Sequence, residues 1–339
     1  MSNHAGSQKI DNALHLLSVS FNSIRPDLLS FPEQRLDNRN VVYSWTNDDN
    51  EEFELEHVDN IPDPITAHKK SHYQEHPYVR GQYSRVPFLQ KHPEHPFAVV
   101  LQAMKASNPE WRCDNVGIIA QSDLLNMIFS WIRGDHTSSF VIDASLVRNT
   151  LFITLFKDGK PSSDSDEDET SDTTSAPSPT TVGQHHILEY SFGGLKLLVT
   201  SPGHLIHSIR WGSEVCFARI LPTHDRPEPS WRHVLPLLWF SGTLTCVSGS
   251  VSDGVSKEDS QWYVNRKVRK WEGRDDTREH MKTMFWLLQY VRMITMWQLF
   301  SKSCLIRFEA SSGRKRLEVY AASRVQQLPT LLGEFWDDK

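Results

Sequence analysis

The chain has 339 residues, 38% of them hydrophobic and 23% charged, which is enough for one large or two modest domains with a real core. Its formal net charge of −6 argues against a strongly basic nucleic-acid binder as a whole and leaves room for local basic clusters. Cys113, Cys216, Cys246 and Cys304 are far apart and form no CxxC or Cys/His pair with zinc spacing, so reduced thiols of a cytoplasmic or nuclear protein are expected.

The N-terminus, MSNHAGSQKIDN, lacks a basic-then-apolar pattern, so no signal peptide is expected. Residues 1–40 have weak periodicity and read as a partly irregular N-terminal extension. Residues 41–90 hold scattered aromatics, several His, and Pro62, Pro64, Pro77 and Pro87, which suggests extended segments and loops wrapped on a core. A helix is predicted over 96–107, with Phe97, Val100, Leu101 and Met104 as its apolar stripe and Asn108–Pro109 as its stop. DNVGIIA (114–120) predicts a strand, and Ser122 the N-cap of the helix DLLNMIFSWI. Strands follow over 139–146 and 150–156, joined across Val147–Asn149.

Residues 158–183 are almost free of apolar side chains and cannot bury enough surface to offset the entropy of ordering, so a disordered acidic and Ser-rich insert is expected there. Ser163 and Ser165 precede acidic residues and are candidate phosphorylation positions; an inert solvated loop is the plainer reading. ILEYSF (187–192), Gly193–Gly194 and LKLLVT (195–200) form a strong hairpin signal. EVCFARI (214–220), VLPLLWF (234–240) and TLTCVS (243–248) read as further β structure, with Gly249–Lys257 as a turn-rich break. SQWYVNRKVRKWEG (260–273) predicts a helix capped by Ser260, and Asp275–Phe300 a longer one, apolar nearly all round in its second half. Gln289, Arg292 and Gln298 within its apolar run, and the run's short length, favour a buried helix over a membrane span. LIRFEA (305–310) and RLEVYAA (316–322) close the chain as a hairpin. The sum is an α+β fold: a mixed β-sheet core flanked by helices, forming one domain over 41–338 interrupted by the insert.

Three constellations could carry chemistry. Glu189 and Glu214, with Asp143 further back, are the carboxylates near the central strands, and hard cations such as Mg²⁺ or Mn²⁺ take oxygen ligands. The plainer reading makes them solvent-facing strand residues. His185 and His186 are adjacent on a strand and so point to opposite faces, which makes joint chelation awkward. Arg266, Lys267, Arg269 and Lys270, interleaved with Trp262, Tyr263 and Trp271, suit a phosphate backbone and stacked bases; the plainer reading is a solvated helix face with its Trp packed inward. No GxSxG, Walker A or GxGxxG stands in a strand–helix context.

VVYSWTN (41–47), HPEHPFAVVLQAMKASNPEW (92–111), HHILEYSFGGLKLLV (185–199), LPLLWFSGT (235–243), VRKWEGRDDTREHMKTMFWLL (268–288) and the closing WDD (336–338) resemble a fungal family whose members often carry the label geranylgeranyl pyrophosphate synthetase. The sequence does not support that label: no DDxxD is present, and no prenyl diphosphate partner is expected. That family in turn resembles the decapping and exoribonuclease group, whose PD-(D/E)xK-type nuclease core the likeness implies here. In that group the strand after FGGL carries an acidic residue, and a later strand reads like LEIKTR, supplying Glu and Lys. In this chain Thr200-Ser201-Pro202-Gly203-His204 holds no carboxylate. Anchoring LEIKTR on Arg219 sets Val215 at its Glu and Phe217 at its Lys, with Glu214 one position early and hence on the other side of a strand.

The resemblance therefore implies a degenerate nuclease site at Pro202, Val215 and Phe217, with no cofactor and no membrane partner. The chain would act as a binding or scaffolding module for RNA or a protein, with Arg266, Lys267, Arg269 and Lys270 as the nucleic-acid contacts. The alternative is a divergent Mg²⁺- or Mn²⁺-dependent RNA or cap hydrolase using Glu189 and Glu214.

Overall fold

The structure is a computed structural model. It describes residues 15–20, 35–45, 53–56, 83–85, 97–156, 183–208, 214–222, 230–243, 245–252, 255–298, 302–311, 314–322 and 335–336. Apart from Gly183, the expected acidic insert lies outside the described residues.

One mixed sheet organises the chain. Its strands are β1 (His15–Ser20), β2 (Arg35–Trp45), β3 (Phe53–Glu56), β4 (Tyr83–Arg85), β5 (Ile118–Gln121), β6 (Phe140–Val147) and β7 (Thr150–Leu155). They continue with β8 (Gly183–Phe192), β9 (Leu195–Ser208), β10 (Glu214–Pro222), β11 (Thr245–Ser252), β12 (Val255–Tyr263), β13 (Ser303–Ser311) and β14 (Arg314–Ala321). The helices are α1 (Ala98–Ser107), α2 (Ser122–Arg133), α3 (Trp231–Phe240), α4 (Asn265–Glu272) and α5 (Asp275–Trp297). Spatial order is β1-β14-β13-β6-β7-β5-β9-β8-β2-β3-β4, with β10, β11 and β12 continuing in turn from β9. Most pairings are antiparallel; β5 runs parallel to both β7 and β9, and β10 to β11. This is the α+β mixed-sheet class the sequence implied.

The stretch read as an N-terminal extension contributes β1, which pairs with β14, and the start of β2, which pairs with β8. Strand alternation then divides the core. Leu188, Tyr190 and Phe192 of β8 join Leu195, Leu197 and Val199 of β9 under α2, α3, α4 and α5. On the opposite face Ile119, Phe152, Ile187 and Leu198 pack with α1, Trp111, Phe335 and Trp336. Cys113, Cys246 and Cys304 are buried and unbridged. Burial pushes the Cys113 and Cys246 thiols up to about 12 and Cys304 to about 11, which keeps them protonated and inert.

Four local readings differ from the structure. The apolar run 234–240 forms helix α3 rather than a strand; a short apolar run does not distinguish the two by periodicity. Pro236 lies inside α3 and has no N–H to offer the carbonyl of Arg232, four residues back. That carbonyl instead accepts from Nη1 of Arg133 at 2.9 Å, so the proline leaves open the acceptor that ties α3 to α2. Residues 260–263 extend β12, because Ser260 and Trp262 pair with Ser248 and Cys246 of β11; the helix begins at Asn265, and the expected turn over 249–257 is mostly strand. Ser122 is the first helical residue of α2 behind the N-cap Gln121, and its hydroxyl caps nothing.

Helix α5 buries Met284, Leu287, Leu288, Val291 and Ile294 and leaves Trp286 and Tyr290 half-buried. Its last turn departs from the expected all-round burial, with Met296 and Trp297 exposed at 55% and 64%. Among the described residues no helix is long and apolar enough to cross a membrane. Leu287→Ala is expected to cost about 2–5 kcal/mol in denaturant unfolding, because Leu287 is fully buried and a cavity would remain.

Candidate functional site

The β8–β9 hairpin determines where the central carboxylate sits. Gly193 and Gly194 both adopt positive φ, 58° and 89°, which suits a two-residue turn matched to strand twist. The turn sets Phe192 opposite Leu195 and hence Glu189 opposite Leu198. Lys196 then lies on the diagonal from Glu189, within reach of a long side chain. The two form an ion pair in which the Glu189 side chain is 2% exposed and Lys196 is 34% exposed. Glu189 is therefore buried, not solvent-facing, and one of its oxygens is committed to an ammonium. The other, Oε2, has no hydrogen-bond partner among the described residues.

Asp143 lies on β6, opposite Thr154 of β7 and Leu305 of β13. Four strand spacings separate β6 from β8, roughly 19 Å at the usual interval. Glu214 opens β10 opposite Ser208, ten residues along β9 from the Leu198 that faces Glu189. An extended strand covers about 33 Å over that length. Ligands sharing one ion stand about 2.0–2.6 Å from it. The three carboxylates thus occupy three separate places on the sheet. Among the described residues no group of three or more His, Cys, Asp or Glu could hold a metal ion. The set does not fit a shared Mg²⁺ or Mn²⁺.

The expected degenerate positions lie on neighbouring strands: Val215 is opposite His207 and Phe217 opposite Leu205, while Pro202 stands further along β9, opposite His185. His185 and His186 are consecutive on β8, facing Pro202 and Ser201 in register. At the head of the parallel β5–β9 pair, sequence reasoning missed a buried contact. Ser122 Oγ donates to Ser201 Oγ at 3.0 Å, and both residues are fully buried. The hydroxyl read as a helix cap is instead part of a buried, neutral polar contact where helix α2 leaves the sheet.

On α4, Val268 and Trp271 are buried while Arg266, Lys267, Arg269 and Lys270 are exposed, so Trp271 packs inward. Lys267 Nζ sits 3.6 Å from the centre of the Trp231 ring, a cation–π contact between α4 and the start of α3. Next to Trp231, Arg232 pairs with Asp135 at 2.5 Å, and Arg133 pairs with the same carboxylate at 2.9 Å. Burial lowers the Arg133 pKa from its ordinary range, and Asp135 pulls it back. No sequence motif announced Asp135, because its partners come from two helices far apart in the chain.

Neither a known protein family's sequence profile nor any characterised protein matches this chain by sequence. Solved structures do. The sheet and its helices define a nuclease-like α+β fold, and its counterparts are Rai1 structures. A mutant of S. pombe Rai1 in complex with 3′-FADP matches at a TM-score of 0.50 and 10% identity, over 90% of this chain and 98% of that one. S. pombe Rai1 in complex with 3′-FADP matches at 0.49 and 10%, over 90% and 99%. K. lactis Dxo1 in complex with manganese matches at 0.42 and 8%, over 70% and 73%. At such identities the first likeness establishes a shared fold and no more.

Two outcomes follow from the buried carboxyls. Lys196→Met should destabilise by about 3 kcal/mol in chemical unfolding, since it strands a buried charge, and adding Glu189→Leu should recover most of that loss. Burial raises the Asp143 pKa from 3.8 to about 6. A carboxyl raised in the folded state is penalised once ionised, so its cost is absent below the unfolded pKa and complete above the folded one. Asp143→Asn should therefore raise the melting temperature above about pH 7 and leave it unchanged near about pH 3.5.

Proposed function

We propose that this chain is a nuclease-like domain that has lost metal-dependent catalysis and acts as a binding module. The observation that carries the reading is the dispersal of Asp143, Glu189 and Glu214 over the sheet, with Glu189 paired to Lys196. A two-metal or one-metal hydrolase needs oxygen ligands that converge on the ion and place a water for attack. Val215 and Phe217 at the positions of the Glu and Lys of LEIKTR, and a β9 without a carboxylate from Thr200 to His204, support the same conclusion from the resemblance.

The binding role draws on the exposed basic face of α4, where four cations stand in eight residues. Cations on a helix surface neutralise phosphates and release counterions, an interaction that needs no catalytic apparatus. This chemistry favours a polynucleotide backbone, and the family resemblance points to RNA as its source.

Purified protein incubated with Mg²⁺ or Mn²⁺ and single-stranded RNA, DNA or capped RNA should give no cleavage above a metal-free control. Metal-dependent cleavage that Glu189→Ala or Glu214→Ala abolishes, in protein that still melts cooperatively, would replace this reading with a divergent hydrolase.

A further inference from the structure

We infer that the nucleic-acid surface extends beyond α4, across Trp231 to Arg232 at the start of α3, and that it grips the phosphodiester backbone without reading bases. The inference deepens the binding-module reading and rests on it for the choice of ligand.

The juxtaposition of α3 and α4 is the first support. Lys267 lies against the Trp231 ring, and the neighbouring Arg232 is 65% exposed. Arg232 is also held in place: Asp135, itself 6% exposed, engages one side of its guanidinium, and Arg133 donates to its backbone carbonyl. Arg232 is thus a pre-positioned cation one residue along α3 from Trp231, so it loses little rotamer freedom on binding. Along α4, Arg269 donates to Asn265 at 3.0 Å, which lays another guanidinium along the helix surface. Helix α4 spans about 12 Å, so with Arg232 the cations form a tract rather than a point.

The composition of this surface selects the ligand. Every outward side chain from Arg266 to Lys270 is charged, and both apolar residues of α4 within and beside that run, Val268 and Trp271, are buried. A folded protein partner needs a desolvated apolar centre with anchoring side chains, and among its described residues this tract offers none. Trp231 does not serve as a stacking platform either, because it packs against the core and carries Lys267 on its ring. A polyanion bound through counterion release fits, and among the described residues of the tract no exposed ring is offered for base stacking. The chain's negative net charge is no obstacle, since seven acidic residues and one lysine between 158 and 182 account for all of it.

Fluorescence anisotropy of labelled single-stranded RNA and DNA of one sequence, in EDTA and over about 50–200 mM salt, tests the tract. EDTA removes hydrolysis from the readout, so this experiment and the cleavage assay fail independently. Five phosphate contacts predict a slope of log K against log salt near −3.5 for a single strand, equal for RNA and DNA. The double variant Arg266→Ala/Lys270→Ala should reduce the slope by about 1.4 and Arg232→Ala by about 0.7. Lys105→Ala, on α1 at the opposite face of the sheet, should change nothing, and melting curves should show all variants folded. Absence of binding, a salt-independent affinity, or unaltered binding by both tract variants would overturn the inference. RNA binding without DNA binding would overturn the backbone-only recognition, and tighter binding of polyglutamate than of either oligonucleotide would make the tract a site for acidic protein.

Discussion

The two-residue turn at Gly193–Gly194 is the constraint on which the rest of the molecule depends. It fixes the register of β8 on β9, and β9 is the strand to which β5, β8 and β10 all attach. An added Cβ at Gly193 would meet the Phe285 ring at 2.4 Å, so α5 closes on the turn at a distance that no other residue would allow. The register sends Leu188, Tyr190 and Phe192 into the helical layer and puts Glu189 on the opposite face, diagonal to Lys196. One backbone feature thus builds the core and also determines that the central carboxylate ends in an ion pair.

The same strand explains the lack of convergence. β9 pairs with β8 over its first part and with β10 over its last, so acidic residues on those two neighbours lie far apart however well each strand is formed. Asp143 belongs to a different part of the sheet, where burial raises its pKa to about 6 and no ion-pair partner stands beside it among the described residues. A buried carboxyl in such a place costs stability when ionised and brings no ligand set with it. The helices, by contrast, keep an exposed basic surface close to β11, where Lys267 lies near enough to Cys246 to oppose the effect of burial on its thiol. The dispersed carboxylates and the exposed basic face therefore lie on different elements of one fold.

Much of this was legible in the sequence. The Gly-Gly hairpin, strands β6, β7, β10, β13 and β14, and helices α1, α2 and α5 follow from periodicity and turn residues. The Glu189–Lys196 pair was also within reach: counting back from a two-residue turn places the two on one diagonal. What could not be read depends on partners distant in sequence. Helix α3 looks like a strand until Arg133 is seen to take the carbonyl that Pro236 leaves open. Ser260 looks like a cap until its pairing with Ser248 is known. Ser122 has the chemistry of a cap and spends it on Ser201, 79 residues away.

The central claim is that the carboxylates of this nuclease-like fold do not assemble a metal centre. A titration of Mn²⁺ into the full chain, followed by the electron paramagnetic resonance of the free ion, tests it without reference to any substrate. The account predicts that the free-ion signal grows in proportion to added Mn²⁺ even with protein in excess. Stoichiometric loss of that signal, restored by Glu189→Gln or Glu214→Gln, would contradict it.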